Sequence, residues 1–97
     1  MIYIDNMNVA FGRMVMNHMV SDIIDPKASR QELDAMAGQI GIDRKHIQKE
    51  GTPREHYDVS KSMKAKAIAL GAISCDTRKV LEIIKNKVEH RRDLNES

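Results

Sequence analysis

The first hydrophobic run, Ile2-Tyr3-Ile4, predicts a short strand that ends at a carboxylate, Asp5. Asn6, Asn8 and Gly12 then mark a loop. From Arg13 to Asp22, Met and Val residues flank Asn17 and His18, and neither the alternating nor the helical period fits. Length and bordering turn residues predict a strand buried on both faces. Asp25 to Ala28 reads as a loop, because the residue before Pro26 avoids helix.

Helical periodicity then takes over. Ser29 with Glu32 three places later has the form of a capping box. Leu33, Met36, Ala37 and Ile40 follow on one face, Gly41 suits a left-handed C-cap, and Ile42 closes over the last turn. Arg44 to Gln48 reads as a single turn, followed by a loop through Gly51 and Pro53. Asp58 or Ser60 caps a second helix running to about Leu70, and Gly71 ends it. Ala72 to Cys75 is a short apolar strand. Asp76 or Thr77 caps a third helix with Val80, Leu81, Ile84 and Val88 as its apolar stripe. Glu89 to Ser97 reads as a polar tail that frays.

This order predicts one domain over residues 1–97 in the α/β class, with α+β as the alternative: a single-layer sheet of about three strands packed by three helices. A chain of 97 residues can bury a real core but not a large enclosed cavity. Tyr3, Phe11 and Tyr57 are its only aromatic residues, so Ile, Leu, Val and seven Met must supply the core volume. Met specifies packing weakly and serves adaptable contacts. A homo-oligomer that buries some of these Met residues is therefore expected.

A net charge of +2 is too balanced for a nucleic-acid footprint, and stacking aromatics are scarce, so nucleic acid is not an expected partner. Cys75 is the only cysteine, which excludes an intramolecular disulfide and a thiolate zinc cluster. No apolar run reaches the length of a membrane span, and the N-terminus lacks the pattern of a signal peptide. A cytoplasmic location follows as the expectation.

Candidate chemistry centres on "HYDVSKS", His56 to Ser62. Lys61 and Lys64 share a helix face near unpaired backbone N–H groups, which suits an anionic, phosphorylated ligand. The plain structural reading of the same stretch is an Asp58 cap, a Tyr57 lid and solvated lysines. His18 lies within an apolar run and needs a polar partner. Asp5 ends the first strand, where sheets of this class place ligands. Asp5, His18, Asp22, His56 and Asp58 together offer nitrogen and oxygen ligands for a metal. No pair has a recognised ligand spacing, so a metal is not the favoured reading, and the cofactor is left open. If a metal is present, His18, His56 and Asp58 would hold it. Cys75 reads as a small buried hydrophobe on an inner strand, not a nucleophile.

The chain resembles the domain-of-unknown-function 4031 family of small bacterial and phage proteins. The resemblance runs through Tyr3-Ile4-Asp5, Gly12-Arg13 and His18 to Asp22, then Glu32-Leu33, Ala37, Gly41 and Ile47-Gln48. It is strongest at His56-Tyr57-Asp58 and at Ala67 with Gly71-Ala72. Asn6 stands where a second acid often follows the first, Ile47 where an aromatic is usual, and Ile23 to Ala28 looks like an insertion. The resemblance implies that the His18–Asp22 and His56–Asp58 segments belong to one pattern and face a common cleft. It also implies a bacterial or phage origin.

Three functions compete. The first is a ligand-binding domain for a phosphorylated or nucleotide-like molecule, for instance one that captures a nucleotide signal in phage–host conflict. Asp5, His18, Asp22 and His56 would line it with Tyr57, Asp58, Lys61 and Lys64. The second is a small hydrolase or phosphotransferase, with His56 held by Asp58 as general base and His18 as acid or metal ligand. The third is a protein-interaction or homo-oligomeric module without small-molecule chemistry.

Overall fold

The computed structural model of the chain describes residues 1–96. The strands are β1 (Ile2–Ile4), β2 (Val9–Phe11), β3 (Met14–Ser21), β4 (Tyr57–Ser60) and β5 (Ile73–Ser74). The helices are α1 (Pro26–Gln39), α2 (Lys61–Ala69) and α3 (Thr77–Glu96), with a single 3-10 turn at Arg44–His46. The class is α+β, and the mixed sheet has five strands where about three were expected.

β3 organises the sheet. Met19 pairs with Ile4 of β1 and with Tyr57 of β4, while Met16 pairs with Val9 of β2 and with Ser60 of β4. A strand residue has one neighbour on each side, so β1 and β2 lie end to end along one side of β3 and β4 along the other. These three pairings are antiparallel, and β5 joins the far side of β1 in parallel.

The β1–β3 and β2–β3 registers do not match. Between the Ile4–Met19 pair and the Val9–Met16 pair, the four residues Asp5 to Asn8 face only two, Asn17 and His18. The ladder must break there, and two side chains take the backbone donors it would leave unpaired. Asp5 Oδ1 accepts from the His18 N–H at 2.9 Å, and Asn17 Oδ1 accepts from the Asn8 N–H at 2.8 Å. Asn8 turns through a left-handed φ of 54°, a conformation that Asn tolerates better than most residues.

Strand alternation divides the core. Ile2, Ile4, Met19, Tyr57 and Val59 point to one face and pack with Leu33, Ala37 and Ile40 near α1 and with Ala67 of α2. Tyr3 and Val20 point to the other face and pack with Val80 and Ile83 of α3. The same alternation sets His18 and its cross-strand partner Asp58 on the α3 face.

Several boundaries differ from the sequence reading. β2 occupies part of the expected Asn6–Gly12 loop. Asp25, not Ser29, caps α1: its Oδ2 accepts from the Ala28 N–H at 2.9 Å, and Pro26 takes the first helical position. Proline's fixed φ suits that position, so the Asp-Pro pair starts the helix where a loop was expected. Ser29 is buried, and Glu32 instead receives the N-terminal ammonium and the Ser21 hydroxyl. Asp58 belongs to β4, leaving Ser60 as the cap of α2. β5 is an edge strand paired with β1, so Cys75 does not follow an inner one. β3 is buried from Asn17 to Ser21, except for half-buried His18, and not along its first three residues.

On α3, Val80 and Ile83 are buried, whereas Leu81 and Val88 of the expected stripe are exposed. The segment read as a fraying tail continues the helix to Glu96, and Ser97 lies outside the described residues. Polar anchors hold this half of the helix. Arg91 Nε donates to the Ile24 carbonyl at 2.8 Å, and the Lys87 ammonium donates to Ser29 Oγ at 3.1 Å. Lys87 is 1% exposed. Burial, with the Arg91 charge acting in the same direction, pushes its pKa down to about 8. Among the described residues no helix is long and apolar enough to cross a membrane.

Candidate metal centre

The broken ladder places an imidazole and a carboxylate in contact. With its Oδ1 on the His18 backbone, Asp5 turns Oδ2 to His18 Nδ1, 2.8 Å away, and the carboxylate is almost fully buried. A carboxylate only accepts, so Nδ1 carries the proton. The ring's remaining nitrogen, Nε2, is the one left to meet a metal. Lys64 reaches the same bend from α2, donating to the Asp5 carbonyl at 2.8 Å.

His56 is oriented in the same way by a different device. Its Nδ1 lies 2.8 Å from the Arg54 carbonyl, again an acceptor only, so Nε2 is again the nitrogen left to meet a metal. The loop before it is tightly tied. Gly51 N–H donates to the buried Glu55 carboxylate, and Thr52 donates through both N–H and Oγ1 to the Lys49 carbonyl. Paired backbone hydrogen bonds between Gln48 and His56 close the loop onto β4.

The two imidazoles meet edge to face, with ring centroids 5.2 Å apart. His56 Nε2 stands 3.4 Å from Asp58 Oδ1, and donor atoms of His18, His56 and Asp58 all lie within 4.8 Å of one another. A neutral imidazole nitrogen and a carboxylate oxygen repel when they face each other through lone pairs. The arrangement calls for a cation between them, either an extra proton or a metal. Two donors each about 2.1 Å from a tetrahedral ion stand roughly 3.4 Å apart, which is the observed His56–Asp58 spacing. The Asp5 carboxylate and the Arg54 carbonyl fix both ring orientations, and would be the outer partners of an ion held there.

Asp5, His18, His56 and Asp58 are thus brought together, and Lys64 borders them. The other candidates lie elsewhere. Tyr57 is the β4 residue between His56 and Asp58, so it points to the opposite face; its hydroxyl donates to Asp34 Oδ1 at 2.6 Å in the main core. Burial and the Asp34 carboxylate push its pKa upward. It neither stacks on nor lids the cleft. Asp22 is held by the N-terminal ammonium at 2.9 Å, at the far end of β3. Lys61 is exposed at the start of α2 and lines none of the grooves beside the histidines. Burial, then the Asp5 and Asp76 carboxylates, raises the Cys75 thiol, which keeps it a poor nucleophile.

Two cations beside the histidines belong to the basic Arg44 to Arg54 stretch, which the sequence offers only as a solvated charge run. Lys49 and Arg54 line a groove of about 350 Å³ that opens from the histidines toward α3. Lys49 holds a φ of 55°, a strained conformation for a residue with a Cβ. Their spacing around Gly51 and Pro53, just before His56, was the available signal, but it read as an ordinary basic loop. A second groove of about 660 Å³ leaves the same histidines toward the β2–β3 hairpin, along Phe11, Met14 and Asp43.

Fold and site together define a small α+β protein that carries a His/His/carboxylate constellation on one face of a mixed sheet. The family described as "Protein of unknown function (DUF4031)" matches residues 2–87, and the chain belongs to that family. No match is found among curated proteins or among solved structures.

Proposed function

We propose that this protein binds a divalent transition-metal ion through His18, His56 and Asp58 and uses it to hydrolyse a small anionic substrate. The observation that carries this reading is the 3.4 Å approach of His56 Nε2 to Asp58, with Nδ1 of each imidazole already committed to an acceptor. Nitrogen and oxygen donors of this kind suit zinc, cobalt, nickel, manganese or ferrous iron better than calcium or magnesium. Three protein ligands would leave a position for water, and a bound metal would supply the acidification that makes that water a nucleophile near neutral pH. In the hydrolysis, the water oxygen bonds to the electrophilic phosphorus or carbon and the scissile ester bond breaks. One water proton ends on the departing oxygen. Lys49 and Arg54 offset the charge of the substrate.

Titration with Co(II), followed by its visible absorption, tests the proposal. One ion per chain is expected, with binding lost in His56→Ala and Asp58→Ala. Wild-type protein that takes up no Co(II) or Zn(II) refutes it. Metal-loaded protein that binds phosphorylated compounds without turning them over is instead the ligand-binding domain expected from the sequence. A nucleotide reading that places a base on Tyr57 loses that contact, since Tyr57 faces the core.

Self-association is proposed as a second property. Val9, Phe11 and Met14 stand exposed on the β2–β3 hairpin, and Phe11 is 75% exposed. Such a strip on a small chain favours contact with another copy.

A further inference from the structure

The groove between the histidines and α3 has a composition that narrows the class of molecule it takes. Its walls are largely apolar: Val20 from β3, Met7 from the bend after β1, and Val80, Leu81 and Ile84 from α3. The polar groups on its lining are Asp5, His18, His56 and Thr77, together with the cations Lys49 and Arg54.

α3 explains why the apolar wall is there. Val80 and Ile83 satisfy its packing against the sheet. Ile84 lies half-buried against the same cluster, whereas Leu81, one turn before it, stands outside that cluster, and both border the groove. Leu81 is 56% exposed, so the helix carries more apolar surface than its own packing uses. Lys49, meanwhile, keeps its strained backbone within a closed network of loop hydrogen bonds.

We infer that this groove binds an amphipathic anion: a phosphate- or carboxylate-type head beside His18, His56, Lys49 and Arg54, with an unbranched or aromatic apolar body along Val20, Leu81 and Ile84. The inference rests on the metal-site reading for the chemistry at the head, but the two cations and the apolar wall are independent of any metal. Charge complementarity selects an anion over a neutral or cationic molecule. The apolar wall selects a ligand with a hydrocarbon portion over a bare sugar phosphate, whose hydroxyls would lose water without finding partners.

A chain-length series of n-alkylphosphonates, from methyl through butyl and hexyl to octyl, tests this by calorimetry on Co(II)-loaded and metal-free protein. Affinity is expected to rise about three- to fourfold per added methylene while the chain remains inside the groove. The exposed Leu81→Asp substitution should flatten that rise while Co(II) uptake stays as in the wild type. Lys49→Gln with Arg54→Gln should weaken all members by a similar factor and leave the rise intact. An affinity independent of chain length, or a rise that Leu81→Asp does not reduce, overturns the inference. Failure of Co(II) binding alone would sink the metal reading, yet the metal-free series would still decide the groove.

Discussion

Asp5→Asn separates the orientation of His18 from its presence. The carboxylate accepts three donors: the His18 N–H at 2.9 Å, the Met7 N–H at 3.4 Å and His18 Nδ1–H at 2.8 Å. An amide has one accepting oxygen. If that oxygen keeps the backbone donors, the NH2 group faces Nδ1 and drives the imidazole proton to Nε2, the nitrogen needed for metal. If the amide flips, its NH2 group opposes two backbone N–H groups. Losing an outer partner of this kind weakens metal binding by about 10- to 100-fold, or roughly 1.4 to 2.8 kcal/mol. A hydrogen bond to a charged group contributes about 1.5–3 kcal/mol to stability, and relief from burying the charge places the net loss near the lower end. For a chain of this size that corresponds to a fall in Tm of roughly 10 °C. Competition with a chromophoric chelator reads the affinity, and two-dimensional NMR of the imidazole nitrogens reads the tautomer. An Asp5→Asn variant with wild-type metal affinity and His18 still protonated at Nδ1 would refute the reasoning.

Lys87 makes stability depend on alkaline pH. Its folded pKa, near 8, lies below the ordinary 10.5, so between these values the unfolded chain holds a proton that the folded chain has released. Stability is therefore lowest below pH 8 and rises toward pH 10.5, by about 3 kcal/mol at most. Urea midpoints should climb over that window in the wild type. Lys87→Met should remove the climb and raise the midpoint at pH 7, whereas a climb of equal size in both proteins would exclude Lys87 as its source. At the exposed hairpin, Phe11→Asp should lower the mass measured by light scattering and leave Co(II) binding unchanged. A wild type already monomeric at high concentration would rule out self-association through this strip.

The sequence exposed the elements whose physics is local. Gly41 and Gly71 take positive φ and follow the ends of α1 and α2, as their lack of a Cβ permits. Ile2 to Ile4 and the Met-Val run of β3 were legible as strands. β2 and β4 were not: Val9–Phe11 stands between the turn residues Asn8 and Gly12, and Tyr57–Ser60 runs straight into a helix cap and read as its approach. The loss of β4 also determined which site assignments failed. Had His56 to Ser60 been read as extended, alternation would have sent Tyr57 to the face opposite His56 and Asp58. His18 was recoverable because a polar ring inside an apolar run requires a partner. That the partner was Asp5 depended on a register mismatch between two strand pairs, which no single window of sequence contains.

That mismatch gives the chain an unusual relation between length and chemistry. Without Asn6 and Met7, Val9 would continue the register begun by Ile4 and Met19, and Ile2 to Ser21 would close as one unbroken hairpin. The Asp5 side chain would lose its reason to cross to the His18 amide, since ordinary ladder bonds would claim that donor. Hydrogen-exchange protection at Asn17 and His18 would report the repaired ladder, and loss of Co(II) uptake the vanished site. In this protein a two-residue change in spacing, with Asp5, His18, His56 and Asp58 all still present, would separate a more regular sheet from one whose bend orients His18. The length of one bend, and not the identity of any side chain in the cluster, would then decide whether the proposed site forms.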